Sequence, residues 1–283
     1  MLRLAVPNKG ALSEAAQTML KEAGYRSRRD SKELVVVDED NSCELFFLRP
    51  RDIAVYVGEG MLHAGITGRD MRVDSGAPVE EIMPLGFGGS TFRLAAKAGA
   101  MTSVKDLDGL RIATSYAGVL GKYLSESGVD ARVIKLDGAV ETAIRLGVAD
   151  AIADVVETGT TLRNVGLEVF GEPIMRSEAV LIKQQGNGNG EDAGIEQLVR
   201  RLQGVVHARD FVMMDYDIRA ERIEEAIALT PGMEGPTVSP LHREGWVAVR
   251  VMVRRRGHQQ VMDQLWEIGA RAILATDIYA CRL

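Results

Sequence analysis

Apolar positions along the chain alternate between short continuous runs and helical stripes. Residues 2–6 (LRLAV) read as a strand. Leu12, Ala16, Met19, Leu20 and Ala23 then recur on one helical face, and Gly24 closes that segment. Residues 34–38 and 44–48 read as strands around a turn. Pro50 suits the first position of a helix carrying Ile53, Val57, Met61 and Leu62. A short strand at 64–68 runs into Gly68-Arg69-Asp70. Residues 92–97 open a second series: a helix at 104–107, a strand at 111–115, a helix near 119–127, a strand at 132–135 and a helix at 140–146. This alternation predicts an α/β fold with mostly parallel sheets, helices on both faces, and two lobes flanking a cleft. Ligands of open α/β sheets bind at the carboxyl ends of strands, which is where Lys9, Arg49, Asp70 and Tyr116 fall.

Residues 184–194 (QQGNGNGEDAG) break the pattern and read as a linker, with nothing apolar to pack. Ile195, Leu198, Val199, Leu202 and Val206 then form a helical stripe that could return to the first lobe. From residue 211 the rhythm changes to strand 211–217, helix 219–229, strands 237–241 and 246–253, helix 258–268 and strand 272–281. That β-α-β-β-α-β order predicts a ferredoxin-like module without a plausible catalytic set. The expected division is a first lobe of 1–90 with 184–210, a second lobe of 91–183, and a module of 211–283.

Composition narrows the function. A hydrophobic content of 46% supports a sizeable core, and a net charge of −6 argues against general nucleic-acid binding, so a polyanionic ligand needs a local basic pocket. The two cysteines make no disulfide framework. With no signal-peptide layout and no run long enough to span a bilayer, the expected location is cytoplasmic, away from membranes. The four histidines are scattered, and no His/Cys cluster suggests a metal cage.

Residues 141–162 carry the strongest chemical signal. The apolar run 149–156, interrupted by Asp150 and Asp154, reads as a strand ending in a tight loop, and Leu162 begins a helix. Free N–H groups of a first helical turn attract anions. Gly159 allows close backbone approach, and Thr158, Thr160 and Thr161 add hydroxyl donors. An ordinary N-cap by Thr158 or Thr161 accounts for the same local pattern.

Across the longer stretch, Glu141, Gly147, Ala149, Ile152, Asp154, Val155, Thr158, Gly159, Thr161 and Leu162 stand together at one spacing. This resembles the signature of the ATP phosphoribosyltransferase family. The resemblance extends from Pro7-Asn8-Lys9-Gly10 to the C-terminal segment, as in the family's long form with a regulatory domain. It implies two lobes like those of type II periplasmic binding proteins, followed by the ferredoxin-like domain. It also implies joining ATP to 5-phosphoribosyl-1-pyrophosphate through adenine N1, with Mg²⁺ on the departing pyrophosphate and held mainly by substrate. Lys9 and Arg49 then act on the leaving group, and solvated surface charges are the plainer reading of both. Asp154, Glu157, Thr158, Gly159, Thr160, Thr161 and Leu162 bind phosphoribosyl pyrophosphate. Asp70, Tyr116 and Glu141 lie on the ATP side, although Tyr116 also suits half-buried packing. Asp217, Thr237, Ala272 and Thr276 bind the end product histidine, although Asp217 also suits an N-cap. AMP as a second inhibitor, and homodimer and homohexamer assembly, are further implications. One departure stands out. Other phosphoribosyltransferases carry two adjacent acids before the Thr-Gly, whereas Val155 and Val156 separate Asp154 from Glu157. Their ribose contacts therefore do not transfer. The alternative function is a non-catalytic two-lobed small-ligand-binding protein. An export signal or a leading helix-turn-helix would favour it, and neither is evident.

Overall fold

The computed structural model describes residues 1–26, 30, 32–156, 160–186 and 192–282. The buried run β1 (Leu2–Pro7) leads to the amphipathic helix α1 (Ala11–Glu22), which buries Ala16, Met19 and Leu20. The hairpin β2 (Val35–Asp38) and β3 (Cys43–Leu48) follows, then α2 (Pro50–Gly58), β4 (Ala64–Gly68), α3 (Arg69–Ser75) and β5 (Val79–Pro84). Helix α2 packs on β4 through Ile53 and Val57. A Cβ on Gly65 would stand 2.5 Å from Ile53, so glycine is what permits that approach.

The second lobe comprises β6 (Ser90–Lys97), β7 (Arg111–Thr114), α4 (Ala117–Ser127), β8 (Arg132–Lys135), the single turn α5 (Thr142–Arg145), β9 (Ala151–Val156), α6 (Thr160–Asn164) and β10 (Leu167–Ser177). Then β11 (Ala179–Gln184) returns to the first sheet, and the long helix α7 (Asp192–Asp210) follows. The sheet orders are β2-β3-β1-β4-β11-β5 and β10-β6-β9-β7-β8. Each has a parallel centre, formed by β3, β1 and β4 in one and by β9, β7 and β8 in the other. The antiparallel members β2, β11, β6 and β10 make both sheets mixed, where the pattern alone predicts mostly parallel ones.

The chain crosses between lobes twice, and the crossings are bonded to each other. Leu85 N–H donates to Ala179 O (2.9 Å), and Ala179 N–H donates to Phe87 O (2.8 Å). An ion network braces the same place. Arg69 forms a fork with Glu81 (2.9 and 2.6 Å) and reaches Glu178 at 3.3 Å, while Glu178 also accepts the Gly86 N–H.

Several elements differ from the sequence reading. The α2 stripe stops at Gly58, leaving Met61 exposed, because Gly60 in the left-handed region turns the chain. The helix expected at 140–146 shrinks to one turn. Strand β11 is hydrogen bonded into the first lobe's sheet, whereas a lobe boundary at 183 puts it in the second. Its four consecutive buried residues, Ala179 to Ile182, fit a strand paired on both sides. The linker reading at 184–194 falls largely on 187–191, outside the described residues, and α7 already begins at Asp192.

By contact density the chain forms two units, Met1–Lys21 with Tyr25–Val199, and Glu22–Gly24 with Arg200–Leu283. The second contains β12 (Phe211–Arg219), α8 (Ile223–Leu229), β13 (Thr237–Pro240), β14 (Trp246–Arg254), α9 (His258–Glu267) and β15 (Arg271–Asp277). Its four strands run β13-β14-β12-β15, all antiparallel, which is the expected ferredoxin-like arrangement. Val212, Met214, Tyr216 and Ile218 face the helices, where Ala226 and Leu265 meet them. The Tyr216 hydroxyl is satisfied by Thr230 at 2.7 Å. The other face of the sheet carries Met213, Asp215 and Asp217.

Candidate active site

The carboxyl ends of the central strands place Asp70 of the first lobe beside Tyr116 of the second, and Lys9 and Arg49 at neighbouring strand ends within the first lobe. Strands β1 and β3 pair Pro7 with Leu48, and Asn8 N–H donates to Leu48 O (2.8 Å). Lys9 and Arg49 therefore leave neighbouring strand ends, and both are exposed. Arg49 is the N-cap of α2, and the next turn presents Arg51.

Asp70, in the first turn of α3 after β4, is buried. Its amide donates to Ser177 Oγ (3.0 Å), and the Ser177 hydroxyl donates back to Asp70 Oδ1 (2.9 Å). Tyr116, which follows β7 in the other lobe, stands near enough to Asp70 for the carboxylate to act on its phenol. Burial raises the Tyr116 pKa first and the Asp70 charge adds to this, so the phenol stays protonated; Arg51 opposes them. The Tyr116 ring is held edge-on to Phe92 (centroids 5.4 Å apart), and the Arg51 guanidinium lies 4.4 Å from its centroid.

Asp154 sits near the end of β9, where burial gives way to partial exposure. Its Oδ1 accepts its neighbour's amide, Val155 N–H, at 2.8 Å. Burial raises its pKa and the nearby Glu141 raises it further, against the Val155 bond and Arg51. Asp154 and Glu141 thus stand near each other, with Arg51 of the opposite lobe opposing their charge, while Arg93, paired with Asp154 in the β6–β9 register, donates to Gly171 O (2.8 Å). A cavity of about 490 Å³ lies at the crossings, bordered by Gly86, Gly89, Thr91, Val156, Arg176 and Ser177. It touches the end of β9 and, through Ser177, the partner of Asp70.

The glycine-threonine loop is only partly described. Glu157, Thr158 and Gly159 lie outside the described residues, as does the Thr161 side chain. Thr160 opens α6, is exposed, and its Oγ1 accepts Arg163 at 3.3 Å. The Leu162 side chain is buried with Val140, Ile144, Ala149 and Ile152, so it anchors the loop to the core.

In the second unit, register places Asp217, Thr237 and Thr276 on the sheet face away from the helices. Thr237 lies opposite Arg250, Arg250 opposite Asp215, and Met213 opposite Thr276. Ala272 occupies a bulge in β15 with φ +50°, an unusual position for a residue with a Cβ.

Arg51, Asp74 and Arg176 escaped the sequence reading. The run Arg49-Pro50-Arg51 doubles the cationic signal after a strand. Asp74 follows Asp70 by one helical turn, which would have put both on one face. Arg176 carries no local pattern of its own. Among the described residues, no group of three or more His, Cys, Asp or Glu side chains is placed to hold a metal. No helix among them is long and apolar enough to cross a membrane.

Family models match along most of the chain. The ATP phosphoribosyltransferase model covers residues 49–204, and the model for the C-terminal domain of the same family covers 208–280. The ATP phosphoribosyltransferase of Streptomyces avermitilis is 63% identical over 285 residues, covering 100% of both chains. Among solved structures, the ATP phosphoribosyl transferase (HisG:HisZ) complex from Thermotoga maritima matches with TM-score 0.64 and 28% identity. That match covers 73% of this chain and 98% of the other. The periplasmic sulfonate-binding protein SsuA of Methylobacillus flagellatus shares the fold of the lobes, with TM-score 0.50 and 14% identity over 80% of this chain and 72% of that one. The chain belongs to the ATP phosphoribosyltransferase family, in the long form that carries a C-terminal domain.

Proposed function

We propose that the cleft between the lobes is where this chain joins its two substrates, with the lobes dividing the work. As an ATP phosphoribosyltransferase, the chain condenses ATP with 5-phosphoribosyl-1-pyrophosphate to N1-(5-phosphoribosyl)-ATP and pyrophosphate, the first step of histidine biosynthesis. Adenine N1 attacks ribose C1 as pyrophosphate departs, so positive charge develops on the sugar and negative charge on the leaving group. The protein's task is alignment and electrostatic complement, without covalent catalysis.

The observation that carries the assignment is the convergence of Asp70, Tyr116, Arg51, Asp154 and Glu141 across the cleft. Lys9 and Arg49 meet the leaving pyrophosphate, and the Arg49 guanidinium offers the fork that phosphate oxygens match. The loop of Glu157, Thr158, Gly159, Thr160 and Thr161 binds the 5′-phosphate through backbone and hydroxyl donors, with Leu162 pinning it to the core. Asp70, Tyr116 and Glu141 line the ATP side. Asp154 stands beside the ribose, where its charge complements the developing cation. Mg²⁺ takes one or two carboxylates and completes its shell with substrate oxygens and water. The under-neutralised pair Asp154 and Glu141 fits that donor set, and the ion would supply charge neutralisation of the pyrophosphate.

The C-terminal module is the regulatory part. Histidine binds its open sheet face, with Asp217 on the ammonium and Thr237, Thr276 and the Ala272 bulge on the remaining polar groups. AMP competes in the cleft. Homodimers and homohexamers form the working assemblies, in the cytoplasm where both substrates are made. The non-catalytic binding-protein alternative shares only the lobe architecture with this chain. The test is to mix purified protein with ATP, phosphoribosyl pyrophosphate and Mg²⁺ and to measure pyrophosphate and the N1 adduct. Absence of both products would overturn the assignment.

A further inference from the structure

The first turn of α4 leaves backbone N–H groups that its own N-cap residue, Tyr116, does not satisfy with a side-chain bond. The opposite lobe satisfies two of them. Asp74 Oδ1, at the end of α3, accepts Gly118 N–H at 2.8 Å and Val119 N–H at 3.3 Å. The other carboxylate oxygen of Asp74 accepts Arg51 at 2.9 Å, and the Asp74 side chain is only 12% exposed. Arg51 in turn stacks on Tyr116, the residue from which α4 starts. Backbone contact reinforces the side chains: a Cβ on Gly118 would stand 2.5 Å from the carbonyl oxygen of Asp74. Helices α2 and α3 belong to the first lobe and α4 to the second, so this cluster ties the lobes by non-covalent bonds apart from the two chain crossings.

We propose that Asp74 is a positioning residue of the transferase: by capping a helix of the opposite lobe and holding Arg51 over Tyr116, it sets the angle at which the two lobes present their substrates. This rests on the division of substrates between lobes given above. Asp74 need touch neither substrate. Its carboxylate occupies the helix N-terminus that would otherwise be open to an anion, and its second oxygen steers a cation whose charge reaches Asp154. Gly118 is the only residue type that lets the two helices meet this closely.

The test compares parent, Asp74→Asn, Asp74→Ala and Gly118→Ala. Loosening the angle misaligns reactants that each lobe still binds. We expect Asp74→Ala and Gly118→Ala to lose about 10- to 100-fold in kcat, with KM for each substrate within roughly threefold of the parent. Asp74→Asn keeps an acceptor oxygen for Gly118 N–H and should fall between parent and Asp74→Ala. Hydrogen exchange at the Gly118 and Val119 amides should quicken in the same order. A kcat within twofold of the parent in Gly118→Ala or in folded Asp74→Ala would overturn the proposal. So would an effect confined to KM, or an Asp74→Asn no better than Asp74→Ala. If the parent made no product, the transferase reading would fall, while amide exchange would still report whether Asp74 holds α4.

Discussion

The chain crossings and the cleft both gather acids beside arginines, and they treat them in opposite ways. At the crossings, Glu81 takes both arms of Arg69, and Glu178 shares the same guanidinium. The Arg69 hydrogen bond holds the Glu81 carboxyl below its ordinary range. In the cleft, Asp154 makes no ion pair among the described residues, and burial together with Glu141 pushes its pKa up. One cluster is electrically closed and the other is left open. A carboxylate kept under-neutralised is unfavourable for folding alone, so its retention marks a place where ligand charge completes the set.

Asp154→Asn gives the sharpest break in this contrast. The variant keeps size and one acceptor but removes the charge that the proposed function sets beside the ribose. Activity should fall about 10²- to 10³-fold in kcat, the scale for losing one group aimed at developing charge. Stability should move the other way, with the melting temperature rising by about 2–4 °C, the shift that ~1 kcal/mol gives in a protein of this size. A calorimetric scan beside an activity assay measures both. An equally active or less stable variant would remove Asp154 from the site.

Breaking the closed cluster should do the reverse. Arg69→Met leaves Glu81 and Glu178 partly buried without their cation, costing about 1–3 kcal/mol of stability by urea unfolding, with a smaller effect on kcat. The clusters also separate by pH. Glu81 has a depressed folded pKa, so its contribution is full above its ordinary value of 4.5 and is lost as pH falls through the folded value. Asp154 has a raised folded pKa above its ordinary 3.8, so the penalty of ionising it disappears as pH falls through that value. Acid titration of the Asp154→Asn variant should therefore lack the second effect and show a steeper net loss below neutrality.

The exposed cations sharpen the contrast from the ligand's side. Arg49→Lys retains charge but not the fork. If Arg49 grips pyrophosphate as it leaves, kcat should fall about tenfold with little change in substrate KM or in stability. Equal rates in variant and parent would return Arg49 to the solvated surface.

The open cluster was only half legible in the sequence. Asp70 and Tyr116 follow β4 and β7, and Asp154 lies near the end of the apolar strand β9, so their convergence at strand ends could be anticipated, while Glu141 was reached through the family signature. Arg51, Asp74 and Arg176 could not, because their roles depend on which helix of one lobe meets which helix of the other. That is long-range information without local periodicity. Strand β10, where the sequence reading expected no element, has a similar cause. In β10, Gly171 and Pro173 interrupt the alternation, and the pairing with β6 slips between Phe170 and Met175. The ferredoxin-like module was read more fully because its even residues, Val212 to Ile218, alternate cleanly against one helical layer.

Within that module the same contrast recurs on a smaller scale. Asp215 is closed by Arg250 at 2.7 Å, whereas Asp217, two residues along the same face, forms no ion pair among the described residues. Asp217 also lies inside β12, three residues before α8's 3₁₀ lead-in begins at Ala220, so it is not the N-cap that its sequence context allows. Neighbouring strands offer Thr237 and Thr276 on that face, and the Ala272 bulge breaks the β12–β15 ladder beside Asp217, where backbone groups can turn to a ligand. A free amino acid's ammonium is the complement that Asp217 lacks, since Arg250 on that face is held by Asp215, and Arg271, opposite Asp217, stacks on Trp266 instead. Asp217→Ala should therefore weaken histidine inhibition about 5- to 10-fold, roughly 1 kcal/mol or slightly more. The KM for ATP and the melting temperature without histidine should stay at parental values, because the carboxylate forms no ion pair among the described residues. Asp215→Ala, which opens the closed pair instead, should affect histidine less. Parental inhibition in Asp217→Ala, or a larger loss in Asp215→Ala, would move the effector off this face and leave Asp217 an ordinary half-buried acid.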